Sequence, residues 1–295
     1  MSKNESIDVS VIIVTYNTLQ MTNECISSIV EKTSGVAYEI ILVDNASTDG
    51  SKEFFEKDKR IIYIYNSANY GFGKANNIGS HVAKGKYLFF LNSDTYFEND
   101  ALTLFFRKAE TTAKEKVGFW GTLLLDNAGH PNGCGGDFPT LMHSLALAAH
   151  VAKSHEFREE GAFESFKVDY VLGADLFMTK DVFDSLSGFD EDFFMYYEES
   201  DLQRRGRSKG YKAQIFYGPK IVHLEGKSIN GITHQKRMMV ETSHLQHLKK
   251  HYSKFCFKNF LVLYIILKLP VFINGHFTVK DNCAYMKLLL NNIMK

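Results

Sequence analysis

The sequence predicts an α/β protein built around a mainly parallel sheet flanked by helices, and three observations predict it. Apolar runs without polar alternation recur at Val9–Thr15, Tyr38–Asp44 and Lys86–Asn92, as in strands covered on both faces. Segments of helical character separate them, so strand and helix alternate. Each run also ends in polar residues: Thr15-Tyr16-Asn17, Asp44-Asn45 and Asn92-Ser93-Asp94. Ligands of open α/β sheets bind beyond the carboxyl ends of the strands.

The elements follow in order. VSVIIVT is a β-branched strand, and the helix after it keeps Leu19, Cys25, Ile26 and Ile29 near one side. YEIILVD is the second strand; NASTDGS after it is rich in helix N-cap residues, and a polar helix follows. IIYIY (Ile61–Tyr65) is the third strand, NYGFGKANNIGSHVAKG a loop entering a helix that stops near Gly85, and KYLFFLN the fourth strand. Parallel neighbours require right-handed crossovers. Beyond Asp94 come a helix near Asp100–Ala113, the run VGFWGTLLL, a glycine-rich loop (Gly129–Gly136), the strand VDYVLGADLFMT, a short helix, the acidic stretch FFMYYEESDLQRR and the strand-like AQIFYGPKIVHLEG. Helical periodicity returns from Thr233.

The chain has 295 residues, 45% hydrophobic and 23% charged, which suits one large domain with an appendage. Its net charge of zero argues against a nucleic-acid partner. The charge is divided unevenly: residues 1–226 hold 23 Lys and Arg against 32 Asp and Glu, residues 227–295 hold 11 against 2. A basic tail on an acidic body suggests contact with an anionic surface. Cys25, Cys134, Cys256 and Cys283 lack metal-site spacing and read as thiols of a reducing compartment. The N-terminus has no apolar segment of a signal peptide, and the apolar stretches of the tail, split by Lys268 and broken by Pro270, are too short to span a bilayer. A cytoplasmic location is expected.

Several motifs carry chemistry. GFGKAN (Gly71–Asn76) follows the third strand and lacks a third glycine, so it is no dinucleotide fingerprint; its glycines suit a tight turn and a close backbone approach. Tyr16 is either a turn aromatic or a ring on which a base stacks, with Asp44 accepting from that base's edge. Asp94, at the end of an apolar strand, either begins a turn or ligates a Mg²⁺ or Mn²⁺ ion bridging phosphates. Glu198, Glu199 and Asp201 complement a helix N-terminus, and Asp201 can pair with Arg205 one turn on. The adjacent Glu198 and Glu199 beside aromatic residues suit a carboxylate of raised pKa acting as general base.

Together VSVIIVTYN, EIILVDNASTDGS, NYGFGKANNIG, YLFFLNSD, FDEDFFMYYEESDLQRR and VHLEGKS resemble the family 2 glycosyltransferases, more closely their rhamnosyltransferase-like branch, over about residues 8–228. The resemblance implies a GT-A fold and inverting transfer from a nucleoside-diphosphate sugar (dTDP-rhamnose or a UDP-hexose) with a divalent cation, Mn²⁺ or Mg²⁺. It implies a catalytic domain over 1–232, its donor half about 1–97 and acceptor half about 98–232, ahead of a helical tail over 233–295. Thr15, Tyr16 and Asn17 match the donor-base loop, Asp44, with Asn45 beside it, the base-edge acceptor, and Lys74 a basic residue near the diphosphate. Asn92, Ser93 and Asp94 match the metal motif, with Asn92 where the family has a first Asp; His223 matches a metal-ligating His. Glu199 takes the place of the catalytic base and Glu198 that of an acceptor-hydroxyl ligand. Gly173, Asp175 and Tyr197 are candidates for sugar contact, with a salt bridge to Arg204 or Arg205 as the structural reading of Asp175.

The implied partners are a nucleotide-sugar donor and a glycan acceptor, free or polyprenyl-linked, in surface-polysaccharide synthesis. On a single helical wheel Lys250, Lys254, Lys258 and Lys268 share an arc beside a wide apolar face. Two readings stand: a helix lying on an anionic membrane at the inner face of the plasma membrane, or one packed on the body or on a second subunit of a homodimer. Two further alternatives to the enzyme are a catalytically degenerate sugar-binding member, favoured by Asn92, and a nucleotidyltransferase, disfavoured by TYN in place of a glycine-rich first loop.

Overall fold

The computed structural model describes residues 6–112, 115–152, 165–224, 233–272 and 277–294. The last residues of VHLEGKS, 225–228, lie outside them. The chain divides into two units. The first comprises Met1–Asp137, Phe157–Phe194 and Glu198–Ser228; the second comprises Phe138–Glu156, Met195–Tyr197 and Ile229–Lys295.

In chain order the elements are β1 (Val9–Thr15), α1 (Leu19–Lys32), β2 (Tyr38–Asp44), α2 (Ser51–Phe55), β3 (Ile62–Tyr65), α3 (Phe72–Val82), β4 (Tyr87–Asn92), β5 (Thr95–Phe97), α4 (Ala101–Thr112), β6 (Val117–Gly121), β7 (Leu124–Leu125), β8 (Pro131–Gly133), β9 (Gly135–Gly136), α5 (Leu141–Ala148), β10 (Ser165–Val168), β11 (Tyr170–Val171), β12 (Asp175–Thr179), α6 (Lys180–Ser185), α7 (Glu198–Ser208), β13 (Lys212–Phe216), β14 (Ile221–His223), α8 (His234–His251), α9 (Lys254–Lys268) and α10 (Val279–Met294).

The first unit is built on an eight-stranded sheet of order β10-β13-β6-β12-β4-β1-β2-β3. β1 pairs in parallel with β2 and β4, β2 with β3, and β13 with β6; β12 and β10 are the antiparallel members. Thr15 lies opposite Asp44 and Val14 opposite Asn92, so three polar strand ends meet at one edge. Both faces are covered, which is why these strands show no alternation. Val11, Ile13, Phe89 and Leu91 pack with Cys25, Ile26, Ile29 and Phe105 on one side; Ile12, Ile41, Val43 and Phe90 pack with Ala75, Met178 and Phe183 on the other. Each such side chain contributes about 1.5–3 kcal/mol by leaving water.

Two expectations are corrected. VDYVLGADLFMT is not one strand: β11 pairs with β9, the chain breaks over residues 172–174, and β12 enters the large sheet. AQIFYGPKIVH is likewise two strands in different sheets, because Gly218, at φ 131, turns the chain after β13. VGFWGTLLL divides into β6 and β7, again in different sheets. The second sheet, of order β5-β14-β7-β8, sets His223 opposite Thr95, beside the turn that follows β4.

The second unit is helical: α5, α8, α9 and α10 bury Leu245, Leu248, Phe257, Phe260, Leu261, Tyr264, Tyr285 and Leu289 among themselves. At its centre the buried Glu241 carboxylate accepts from the hydroxyls of Tyr264 (3.2 Å) and Tyr285 (2.8 Å), with His244 Nδ1 at 3.4 Å. The single wheel from Lys250 to Lys268 is also corrected. α8 ends at His251, Tyr252 is extended, and the Ser253 hydroxyl caps a new helix by accepting from the Cys256 N–H. Lys250 therefore belongs to a different helix from Lys254, Lys258 and Lys268. Among the described residues no helix is long and apolar enough to cross a membrane.

Candidate active site

The loops after β1 and β2 are cross-tied. Asn17 adopts a left-handed backbone (φ 55); its N–H donates to the Ser47 hydroxyl (2.9 Å) and its side-chain oxygen accepts from the Thr48 N–H (2.7 Å). The buried Thr15 hydroxyl shares hydrogen bonds with those of Thr18 and Thr22, both at 2.9 Å. Tyr16 stands between these fixed points about half-exposed, an open ring for stacking. Asp44 is fully buried, and its two oxygens accept from the Ser47 N–H (2.7 Å) and the Tyr63 hydroxyl (2.8 Å). Burial, then the carboxylate of Asp44, pushes the Tyr63 hydroxyl up, so it stays a donor. Asn45 donates to the Gly71 carbonyl (3.0 Å) and accepts from the Asn66 amide (2.9 Å).

Gly71 has φ 82, and a side chain there would strike the Phe194 carbonyl, to which the Phe72 N–H donates (2.8 Å). α3 starts from this close approach and carries Lys74 in its first turn. The Lys74 ammonium lies 3.0 Å from Glu191 and 5.3 Å from the Tyr70 ring centroid.

At the end of β4 the Ser93 hydroxyl lies 3.2 Å from that of Thr18, joining this turn to the first loop. His223 Nε2 is 3.3 Å from Asp94 Oδ1 and 3.3 Å from the Asn92 amide nitrogen. The His223 carbonyl accepts from Asn132, which fixes the strand that presents the ring. Among the described residues no three His, Cys, Asp or Glu side chains are grouped to hold a metal by themselves. Asp94 and His223 still offer one oxygen and one nitrogen donor. Catalytic Mg²⁺ and Mn²⁺ sites take few protein ligands and fill the remainder with phosphates and water, and an imidazole suits Mn²⁺. The donor set fits an ion held jointly with a diphosphate.

α7 opens with the paired carboxylates. The chain enters it through Tyr196 and Tyr197, both left-handed (φ 72 and 69), a costly conformation for aromatic residues that marks a constrained segment. Glu198 is buried, and one oxygen of each glutamate, Glu198 Oε2 and Glu199 Oε2, is buried without a partner. Burial pushes both carboxyls up, and the neighbouring Glu199 charge raises Glu198 further. The backbone N–H groups of Glu199, Ser200 and Gly173 favour the charged form of Glu199. These N–H groups offset part of the effect of burial at Glu199, so of the two carboxyls Glu198 is raised the more. Gly173 passes so close that an added Cβ would lie 3.3 Å from the Phe72 ring and 3.6 Å from Glu199 Cβ. Asp201 is structural: Arg205 Nε donates to it at 2.7 Å while the same guanidinium donates to the Leu186 and Gly188 carbonyls.

Asp175 does not meet Arg205. Its carboxyl is fully buried, one oxygen accepts from the Thr122 N–H (2.6 Å), the other has no partner, and burial pushes it up to about 8. Tyr197 packs against the rings of His244 and His247 in the helical unit, with centroids 5.5 and 5.8 Å away.

Two amides escaped the sequence reading. Gln203, fully buried, accepts from the Val171 N–H (2.8 Å) and donates to the Val171 carbonyl (2.7 Å) and the Glu199 carbonyl (3.1 Å). Asn77 pairs in the same way with Phe189, at 2.9 Å in each direction. They brace the segments on either side of the glutamate pair. The available signal was a polar side chain at an inward position of each amphipathic helix.

The family model for Glycosyl transferase family 2 matches residues 10–121. A poly(ribitol-phosphate) beta-glucosyltransferase of Bacillus spizizenii is 35% identical over 100 residues, which are 32% of this chain and 16% of that protein. The low-salt glycan biosynthesis hexosyltransferase Agl10 of Haloferax volcanii is 27% identical over 206 residues, 68% of this chain and 62% of that one. The chain thus spans about a sixth of the first relative's length. Among solved structures, the mannosyltransferase PcManGT of Pyrobaculum calidifontis, in complex with GDP-Man and Mn²⁺, superposes with a TM-score of 0.60 at 15% identity, covering 99% of this chain and 88% of that one. That likeness establishes the fold, an α/β GT-A architecture. Residues 10–121, which hold the polar ends of β1, β2 and β4, are the part of the chain that is similar to the family 2 glycosyltransferases.

Proposed function

We propose that the protein is an inverting glycosyltransferase of surface-glycan synthesis, moving a sugar from a nucleoside-diphosphate donor, dTDP-rhamnose or a UDP-hexose, to a hydroxyl of a glycan acceptor carried on a polyprenyl lipid. The reading rests above all on the Glu198–Glu199 pair, two adjacent carboxyls at the start of α7, each with one buried oxygen that has no partner. The sugar-transfer activities of the relatives support the class, and the rhamnosyltransferase-like motifs support the branch.

In this mechanism Tyr16 stacks on the donor base, and Asp44, oriented by Tyr63 and Ser47, accepts from its edge. Lys74 exchanges Glu191 for the diphosphate. Asp94 and His223 would hold a divalent cation, which would supply charge neutralisation of the leaving group. Glu198 orients the acceptor hydroxyl. Glu199 takes the hydroxyl proton as the acceptor oxygen bonds to the anomeric carbon; the bond from that carbon to the phosphate oxygen breaks, and the diphosphate departs with its electron pair. Gly173 leaves room beside Glu199 that a side chain would fill. A sugar-binding protein without catalysis is the second reading, favoured by the uncharged Asn92. Donor hydrolysis and transfer, measured over a panel of nucleotide sugars with Mn²⁺, separate the two. Activity in the wild type, lost in a folded Glu199→Gln variant that still binds donor, supports transfer; full activity in that variant removes the base.

A further inference from the structure

α9 carries two apolar faces separated by Lys254, Lys258 and Lys268 on one flank, and one of the two faces is used inside the unit. Phe257, Phe260, Leu261 and Tyr264 are buried in the helical unit. On the opposite side Phe255 is 77% exposed, Val262 48% and Ile266 56%, and Leu269, the residue that caps the helix, is 50% exposed. At about 100° per residue the buried four and the exposed four fall on arcs centred roughly 180° apart. A contiguous apolar stripe left open to water marks a contact surface.

The charge around it selects the occupant. Residues 233–295 hold ten Lys and Arg against Glu241 and Asp281 alone. Glu241 is buried and already satisfied by Tyr264 and Tyr285, so the outer surface of this region is more basic than the count. Lys254 and Lys258 border the open stripe on α9 itself. Two such basic faces repel one another, whereas anionic headgroups attract them. Fifteen residues give a helix about 22 Å long, short of a hydrocarbon core of about 30 Å, which suits a helix lying in the interface plane.

We infer that α9 is an interfacial membrane helix whose Phe255–Val262–Ile266–Leu269 stripe enters the acyl boundary of an anionic bilayer while Lys254 and Lys258 meet its headgroups. This stripe lies opposite the buried face and does not involve Lys250. The inference is independent of the transfer reaction and stands or falls without it.

The test is co-sedimentation of the full chain with vesicles of phosphatidylcholine, alone or with 30% phosphatidylglycerol (~30 mol %, a composition in the range where surface charge dominates). The expected result is binding to the anionic vesicles at least about tenfold tighter than to neutral ones, weakened by salt. Phe255→Ser with Ile266→Ser, both at exposed positions, reduces it at least about tenfold with melting temperature unchanged. Phe255→Trp, with its added indole, gives a blue-shifted emission on anionic vesicles. Equal sedimentation of the wild type and the Ser double variant, equal affinity for both vesicle types, or no shift from the Trp variant overturns the proposal. So does a lipid-free dimer that the Ser double variant abolishes, which assigns the stripe to a second copy.

Discussion

Replacing Gln203 with Met keeps the length of the side chain and deletes three hydrogen bonds. Both backbone groups of Val171 lose their partner in a fully buried setting, and the Glu199 carbonyl loses one donor. An unpaired buried backbone group costs about 1–3 kcal/mol, and the added apolar burial of Met offsets about 1 kcal/mol. The expected net loss is about 1–5 kcal/mol, read as a lower midpoint in urea unfolding with an unchanged slope. A second effect follows from the chain path. Val171 is two residues from Gly173, whose N–H favours the charged Glu199. If Gln203 holds that N–H in place, the Met variant raises the Glu199 pKa, and the acid limb of activity moves upward. The groups that bear on Glu199 here are Glu198 on the same helix and Tyr170 on β11, and the substitution leaves both intact. A stability loss below about 0.5 kcal/mol, within the range of an ordinary surface change, refutes the bracing role. A large loss with an unmoved acid limb confines Gln203 to stability.

Glu199→Gln is expected to lower transfer by about 10²–10⁴-fold, the usual contribution of a general base, with donor affinity retained in calorimetry. Because burial raises both glutamates, wild-type activity falls as pH drops through a value above the ordinary carboxylate range, read from the pH profile of transfer. Glu241→Leu strands two tyrosine hydroxyls and His244, for an expected loss of about 3 kcal/mol in thermal or urea unfolding. In the wild type the folded pKa of Glu241 is depressed, so its contribution is present above its unfolded pKa and lost as pH falls through the folded one; pH-dependent unfolding checks this against the variant. Tyr63→Phe leaves Asp44 short of one donor, with an expected loss of about 1 kcal/mol in stability and weaker binding of free nucleoside diphosphate.

The first half of the fold was legible because its strands are buried on both faces and end in polar residues, a pattern that composition alone reveals. The pairing of Asp201 with Arg205 was legible too, since helix geometry fixes a four-residue spacing. The break at residues 172–174 was not, because a buried loop between two short strands has the same hydropathy as one long strand. Gln203 and Asn77 were not, because a side chain that completes a backbone hydrogen bond many residues away leaves no periodic trace. The start of α9 at Ser253 was readable only as a capping residue within an otherwise continuous apolar wheel.

The two amide braces also bear on how the protein breathes. A strand segment held by neighbours opens when several ladder bonds part together, but Val171 and Phe189 are each fastened on one side by a lone side chain. A single χ rotation of Gln203 or Asn77 frees both polar groups of its client residue at once. Amide protons there should exchange with deuterium through that local event, far faster than those of β1 or β4, so the walls around the glutamates can loosen while the sheet beneath them stays shut.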